Sequence, residues 1–149
     1  MLDKIKSVTK KLLHYVNIYR WCFTYKIPRF YIRNNEIFAL GSVDLKDSDL
    51  EYLPFKFNYV SGDFIVPTTL KSLKNSPTTV GGNLVITNNK YLKSLKKSTT
   101  SVGCNFECLR CPNIKTFAYA PSMVYGNIFY DSIESNSFKG VLKGKFIKV

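Results

Sequence analysis

Four valines, Val60, Val80, Val102 and Val124, recur at intervals of 20, 22 and 22 residues, and this recurrence constrains the fold more than any other feature of the chain. Seven residues before each lies a large apolar side chain: Leu53, Leu73, Leu95 or Phe117. Three residues earlier comes another: Leu50, Leu70, Leu92 or Ile114. Four residues after each valine stands Phe64, Leu84, Phe106 or Ile128, so the frame is L-x2-L-x6-V-x3-Φ. Only the connection back to the next L-x2-L changes length. A stack of coils tolerates that, because an insertion bulges at one edge without shifting the core.

After each valine come the short alternating runs "DFIV", "NLVI", "NFEC" and "NIFY", with an earlier copy "GSVDL" at 41–45 and a last one "GKFIKV" at 144–149. Period-two alternation predicts one short parallel strand per repeat, with Phe64, Leu84, Phe106 and Ile128 inward. Five to six such rungs at about 4.8 Å spacing make a sheet roughly 24 Å across. The outward positions are Asp44, Ile65, Val85, Glu107 and Phe129, flanked by Asp63, Asn83, Asn105 and Asn127. An apolar centre with amide and acidic neighbours suits a protein partner, since phosphate binding would call for Lys or Arg there. The candidate partner-binding residues are therefore Asp63, Ile65, Asn83, Val85, Asn105, Glu107, Asn127 and Phe129. The alternative is that residues 132–149 fold over this face.

The copy "LVITNNKYLKSL" (84–95) resembles a leucine-rich repeat, with Leu84, Ile86, Asn89, Leu92 and Leu95 on the L-x-L-x-x-N-x-x-L-x-x-L pattern. Repeats of this length are similar to those of bacterial type III effectors. "LKSLKNSPTTVGGNLVI" (70–86) and "LKSLKKSTTSVGCNFEC" (92–108) resemble more closely the short-repeat proteins of tailed bacteriophages. The resemblance covers about residues 37–131. It implies a repeat solenoid (α+β by content) over 37–131, and the flanking segments read as a basic helical cap over 1–36 and a basic C-terminal cap or last rung over 132–149. It also implies a small phage-encoded factor that binds a host protein in the host cytoplasm. It says little about the target, because such scaffolds carry many functions.

Three of the four cysteines lie in "GCNFECLRCPNI" as C-x3-C-x2-C, a spacing with which radical-SAM enzymes hold an iron–sulfur cluster. On the repeat frame each has a structural slot instead. Cys104 replaces a glycine, Cys108 takes an inward strand position, and Cys111 occupies the slot of Ser48, Thr69 and Asn89. In leucine-rich repeats that slot takes Asn or Cys, whose side chain bonds the neighbouring coil's turn. Cys104 and Cys108 sit about 13 Å apart on an intact strand and cannot share a metal. No metal or cofactor is expected. The single histidine, His14, has no acid or nucleophile partner in sequence, and Gly81-Gly82 lacks the G-x4-G-K of a phosphate loop. The chain thus reads as non-enzymatic.

The net charge of +12 concentrates at the ends. Residues 1–33 carry eight Lys/Arg against Asp3 alone, and residues 136–149 carry four lysines and no acid. Within 2–24, Leu2, Ile5, Val8, Leu12, Leu13, Val16, Tyr19 and Phe23 recur at helical spacing, which predicts an amphipathic helix burying that face as a cap on the first rung. Pro28 should end this helix or the turn after it. A basic helix of this kind can also meet nucleic acid or, the least favoured reading, a membrane. "RFYIR" (29–33) reads as an edge strand, although arginines among aromatics can also stack on unpaired bases. Lys71, Lys93 and Lys115 share one repeat position and would stack in a column splayed into water. With Lys10, Lys11, Arg29 and Arg33 they form the candidate polyanion set, and binding of RNA or DNA is the alternative function.

Overall fold

The computed structural model describes residues 2–134 and 137–149, with side chains from Lys6 onward, so Leu2 and Ile5 of the expected helix face lie outside the described side chains. Among the described residues one helix, α1 (Leu2–Thr24), precedes thirteen short strands. Seven of them, β1 (Phe30–Arg33), β2 (Glu36–Ala39), β4 (Phe57–Val60), β6 (Thr79–Val80), β8 (Ser101–Val102), β10 (Met123–Val124) and β12 (Val141–Leu142), form one sheet in that order. The other six, β3 (Val43–Asp44), β5 (Phe64–Ile65), β7 (Leu84–Thr87), β9 (Phe106–Leu109), β11 (Ile128–Tyr130) and β13 (Phe146–Lys148), form the second. All pairings are parallel except the β1–β2 hairpin. The chain is a parallel β-solenoid with one capping helix, as the repeat predicts.

Each coil carries two strands where the alternation alone suggested one. The repeated valines occupy the extra strand: Val60, Val80 and Val102 pair in register, followed by Val124, and all are fully buried. A strand of two residues, such as Thr79–Val80, is too short to display a period of two. The second sheet aligns Phe64, Leu84, Phe106 and Ile128 on its inner face. A third, strandless side supplies Leu53, Leu73, Leu95 and Phe117, also buried, so the core is a column of stacked apolar layers.

The corner between the two strands must be glycine-rich for a steric reason. Successive coils approach there closely enough for their backbones to bond, with the Gly82 amide donating to the Gly62 carbonyl at 2.9 Å. A Cβ on Gly82 would stand 2.7 Å from the Gly62 carbonyl carbon, and one on Gly103 would overlap the Gly81 carbonyl oxygen. On the strandless side each coil turns through a left-handed residue: Asn75, Lys97 and Tyr119 have φ of 71°, 65° and 67°.

The C-terminus of α1 closes with Lys26 at φ 51°, where the Lys26 amide donates to Phe23 O at 3.1 Å and the Ile27 amide to Cys22 O at 2.8 Å. This is the Schellman arrangement, with Pro28 just beyond it. The cap differs from expectation in which face it buries. Ile18 and Cys22 are fully buried, and Trp21 packs edge-on against Phe55 and Phe57 of the following coil. The predicted face, Val8, Leu12, Leu13, Val16, Tyr19 and Phe23, is exposed. The β1–β2 hairpin already covers the open edge of one sheet, and it leaves the helix only its C-terminal half to pack. "RFYIR" is that edge strand.

Candidate functional site

Parallel, in-register stacking turns each outward strand position into a row. On the six-stranded sheet the row runs Asp44, Ile65, Val85, Glu107, Phe129, Ile147, paired strand by strand. Asp44 is exposed and the other five are half-buried. The C-terminal segment extends both sheets through β12 and β13, and Ile147 thereby joins the row. Ile65, Val85, Glu107 and Phe129 are thus brought together as the sequence predicted.

The four flanking polar residues have a different role. The Asp63 amide donates to Ser42 Oγ at 3.0 Å, and Asp63 Oδ1 in turn accepts from the Asn83 amide at 2.6 Å. Asn83 Oδ1 accepts from the Asn105 amide at 2.9 Å, Asn105 Oδ1 from the Asn127 amide at 2.8 Å, and Asn127 Oδ1 from the Lys145 amide at 2.9 Å. Asp63, Asn83, Asn105 and Asn127 are therefore rungs of a structural ladder. They satisfy the amide at which each corner enters its second strand, an orphan that the tight turn would otherwise leave. A small amide or carboxylate recurring at one repeat slot beside glycine was the available signal.

A second polar column runs inside. Buried Asn89 donates to Pro67 O and Leu70 O at 3.0 and 2.9 Å and accepts from the Tyr91 and Leu92 amides, both at 2.8 Å. Thr69 Oγ1 donates to Leu50 O at 2.9 Å one coil earlier, and Cys111 Sγ lies 3.4 Å from Ile86 O one coil later. Cys111 thus occupies the slot assigned from the repeat. Cys108 is buried beside it, and their hydrogen bond, with burial, pushes the Cys108 thiol up. Cys104 sits exposed at the corner. Among the described residues no group of three or more His, Cys, Asp or Glu side chains converges as a metal site would require.

The lysine column is neutralised at both ends. Lys71 Nζ lies 2.6 Å from Glu51 and Lys115 Nζ 2.6 Å from Glu134. Glu51 and Glu134 occupy the same repeat slot as the lysines, one coil before and one after, so the column reads Glu, Lys, Lys, Lys, Glu. The hydrogen bond to Glu51 also holds the Lys71 ammonium above its usual pKa. Lys93 alone stands between the two pairs, exposed, and lines clefts on both sides of it. The rest of the polyanion set is elsewhere. Lys10 and Lys11 line a cleft with Ser7, His14 and Asn35, while Arg29 and Arg33 are exposed at the two ends of "RFYIR". The predicted cations thus form separate patches.

The outward row of the seven-stranded sheet is a second surface that the strand alternation did not reveal. It contains Phe38, Tyr59, Thr79, Ser101, Met123 and Val141, and Tyr31 stacks on Phe38 at 4.8 Å with rings 8° from parallel. Tyr59, Thr79, Ser101 and Met123 each directly precede a repeated valine, and that position was the signal.

No family model, curated protein or solved structure matches the chain.

Proposed function

We propose that this protein is a non-enzymatic interaction module that binds another protein through the outward row of its six-stranded sheet. In this reading it is a small phage-encoded factor that modulates or inhibits a host protein in the host cytoplasm. The observation that carries the binding mode is the row itself. Ile65, Val85, Phe129 and Ile147 stand in register, interrupted by Glu107 and ended by Asp44. Apolar side chains held about 4.8 Å apart on a rigid ladder lose little conformational freedom when a partner covers them, so their burial is little offset by ordering. The acidic groups fix orientation, and the cationic chain ends speed encounter with an acidic target. The phage and host parts rest on the repeat resemblance.

Nucleic acid is the second reading, drawn from the Lys10–Lys11 cleft. One affinity experiment separates the two. The immobilised protein should retain one bacterial protein at near-equal stoichiometry after nuclease treatment, and both Val85→Asp and Phe129→Asp should release it. Retention by these variants overturns the strand-face assignment. Loss of all bound material on nuclease treatment assigns the function to nucleic acid, whose binding also falls steeply with salt.

A further inference from the structure

The apolar stripe on α1 stays exposed among the described residues. Val8, Leu12, Val16, Tyr19 and Phe23 follow at steps of four, four, three and four residues, which keeps them in one line on a helix of about 3.6 residues per turn. They are 68, 64, 38, 43 and 72 % exposed. At 1.5 Å per residue the line is about 22 Å long. Tyr19 and Phe23 meet Phe30 of β1 at 5.3 and 5.8 Å between ring centroids, so the stripe runs on to the edge strand, where Tyr31 is also exposed.

The charge around this stripe has a single sign. Residues 4–35 contain eight Lys/Arg and no Asp or Glu. Helical geometry sets Lys11 and Arg20 on the two flanks of the stripe, with Lys6 and Lys10 behind it. A second copy of the chain would bring two such cationic segments together, which their repulsion opposes. A nucleic acid would use the cations and leave the apolar line in water. No helix among the described residues is long and apolar enough to cross a membrane, so α1 would lie on a bilayer rather than span it.

We propose that α1 lies in the headgroup layer of an anionic phospholipid membrane, with Val8, Leu12, Val16, Tyr19 and Phe23 facing the acyl chains. Lys11 and Arg20 extend from the flanks to the phosphates, their alkyl stems covering the edge of the stripe. The aromatic end, Tyr19, Phe23 and Phe30, provides the rings that sit well at headgroup depth. A protein groove that receives a helix typically reads anchors at i, i+3 or i+4, and i+7. Five anchors along some four turns, flanked by cations, suit a flat interface better. Trp21 has no part in this, because it is packed against Phe55 and Phe57.

Flotation of the full chain with vesicles of phosphatidylcholine mixed with phosphatidylglycerol tests the proposal, with pure phosphatidylcholine vesicles as control. The protein should rise with the anionic vesicles alone. Lys11→Gln and Arg20→Gln should each weaken partitioning by about fivefold, and Leu12→Asp by roughly tenfold or more. Leu12 is exposed, so the variant should melt as the parent does, which its circular dichroism checks. A protein that stays unbound to anionic vesicles overturns the proposal, as does a Leu12→Asp variant that binds as well as the parent. Absence of vesicle binding combined with a stoichiometric protein complex lost in Leu12→Asp overturns it in favour of a protein groove. Phe129→Asp should leave flotation unchanged, so a failure here is separate from a failure of the strand-face reading.

Discussion

The central coils and the N-terminal helix carry comparable apolar patterns and treat them in opposite ways. From Leu53 to Ile128 every apolar residue of the repeat frame is buried. On α1 the longest apolar line is exposed, and the buried contacts come from Ile18 and Cys22 beside it. In the coils each inward residue has a copy above and a copy below, so the pattern and its partner surface arise together. The helix packs on one neighbour over half its length. An amphipathic period shows that a surface is apolar, whereas burial also requires something for it to rest on.

Paired truncations test this contrast. Phe106→Ala removes a fully buried ring between Leu84 and Ile128 and should cost about 3–5 kcal/mol. Leu12→Ala should change stability by less than about 0.5 kcal/mol. Denaturant titration of both reads the difference, and equal effects would show that the helix face is buried after all. Asn89→Ala comes next, at roughly 2–3 kcal/mol, because it leaves buried carbonyls and amides of two coils unpaired. Thermal unfolding would show this as a lowered melting temperature, and a neutral result would remove the internal polar column from the account. One further substitution should be a modest gain. Lys97→Gly relieves a left-handed non-glycine residue on an exposed turn and should stabilise by about 0.5–1 kcal/mol. A loss there would mean that the turn holds its conformation without strain.

Much of the architecture is legible in particular residues. Val60, Val80, Val102 and Val124 mark the coils, and "RFYIR" and Pro28 mark the hairpin edge and the end of the helix. The slot shared by Ser48, Thr69, Asn89 and Cys111 accounts for Cys111 without a metal. The outward row was readable as well, because alternation from Phe64, Leu84, Phe106 and Ile128 leaves Ile65, Val85, Glu107 and Phe129 no other side. Asn83, Asn105 and Asn127 were not readable in the same way. A polar residue on a strand edge looks the same in sequence whether it faces a partner or the next coil's amide. The lysine column was half readable: Lys71, Lys93 and Lys115 align by count, but Glu51 and Glu134 join them only once the coils are laid one on another.

The stacking of the coils follows from local spacing. A frame of fixed spacings repeated every 20–22 residues has a compact solution in which like positions superpose, and the corner glycines permit the close approach this requires. The tertiary structure alone decided which exposed chemistry stays free. The number of strands in a coil, the use of the asparagine oxygens, the neutralisation of Lys71 and Lys115 and the exposed side of α1 all depend on what stands opposite each group. That is set by contacts between residues some twenty or more positions apart, which no local pattern encodes.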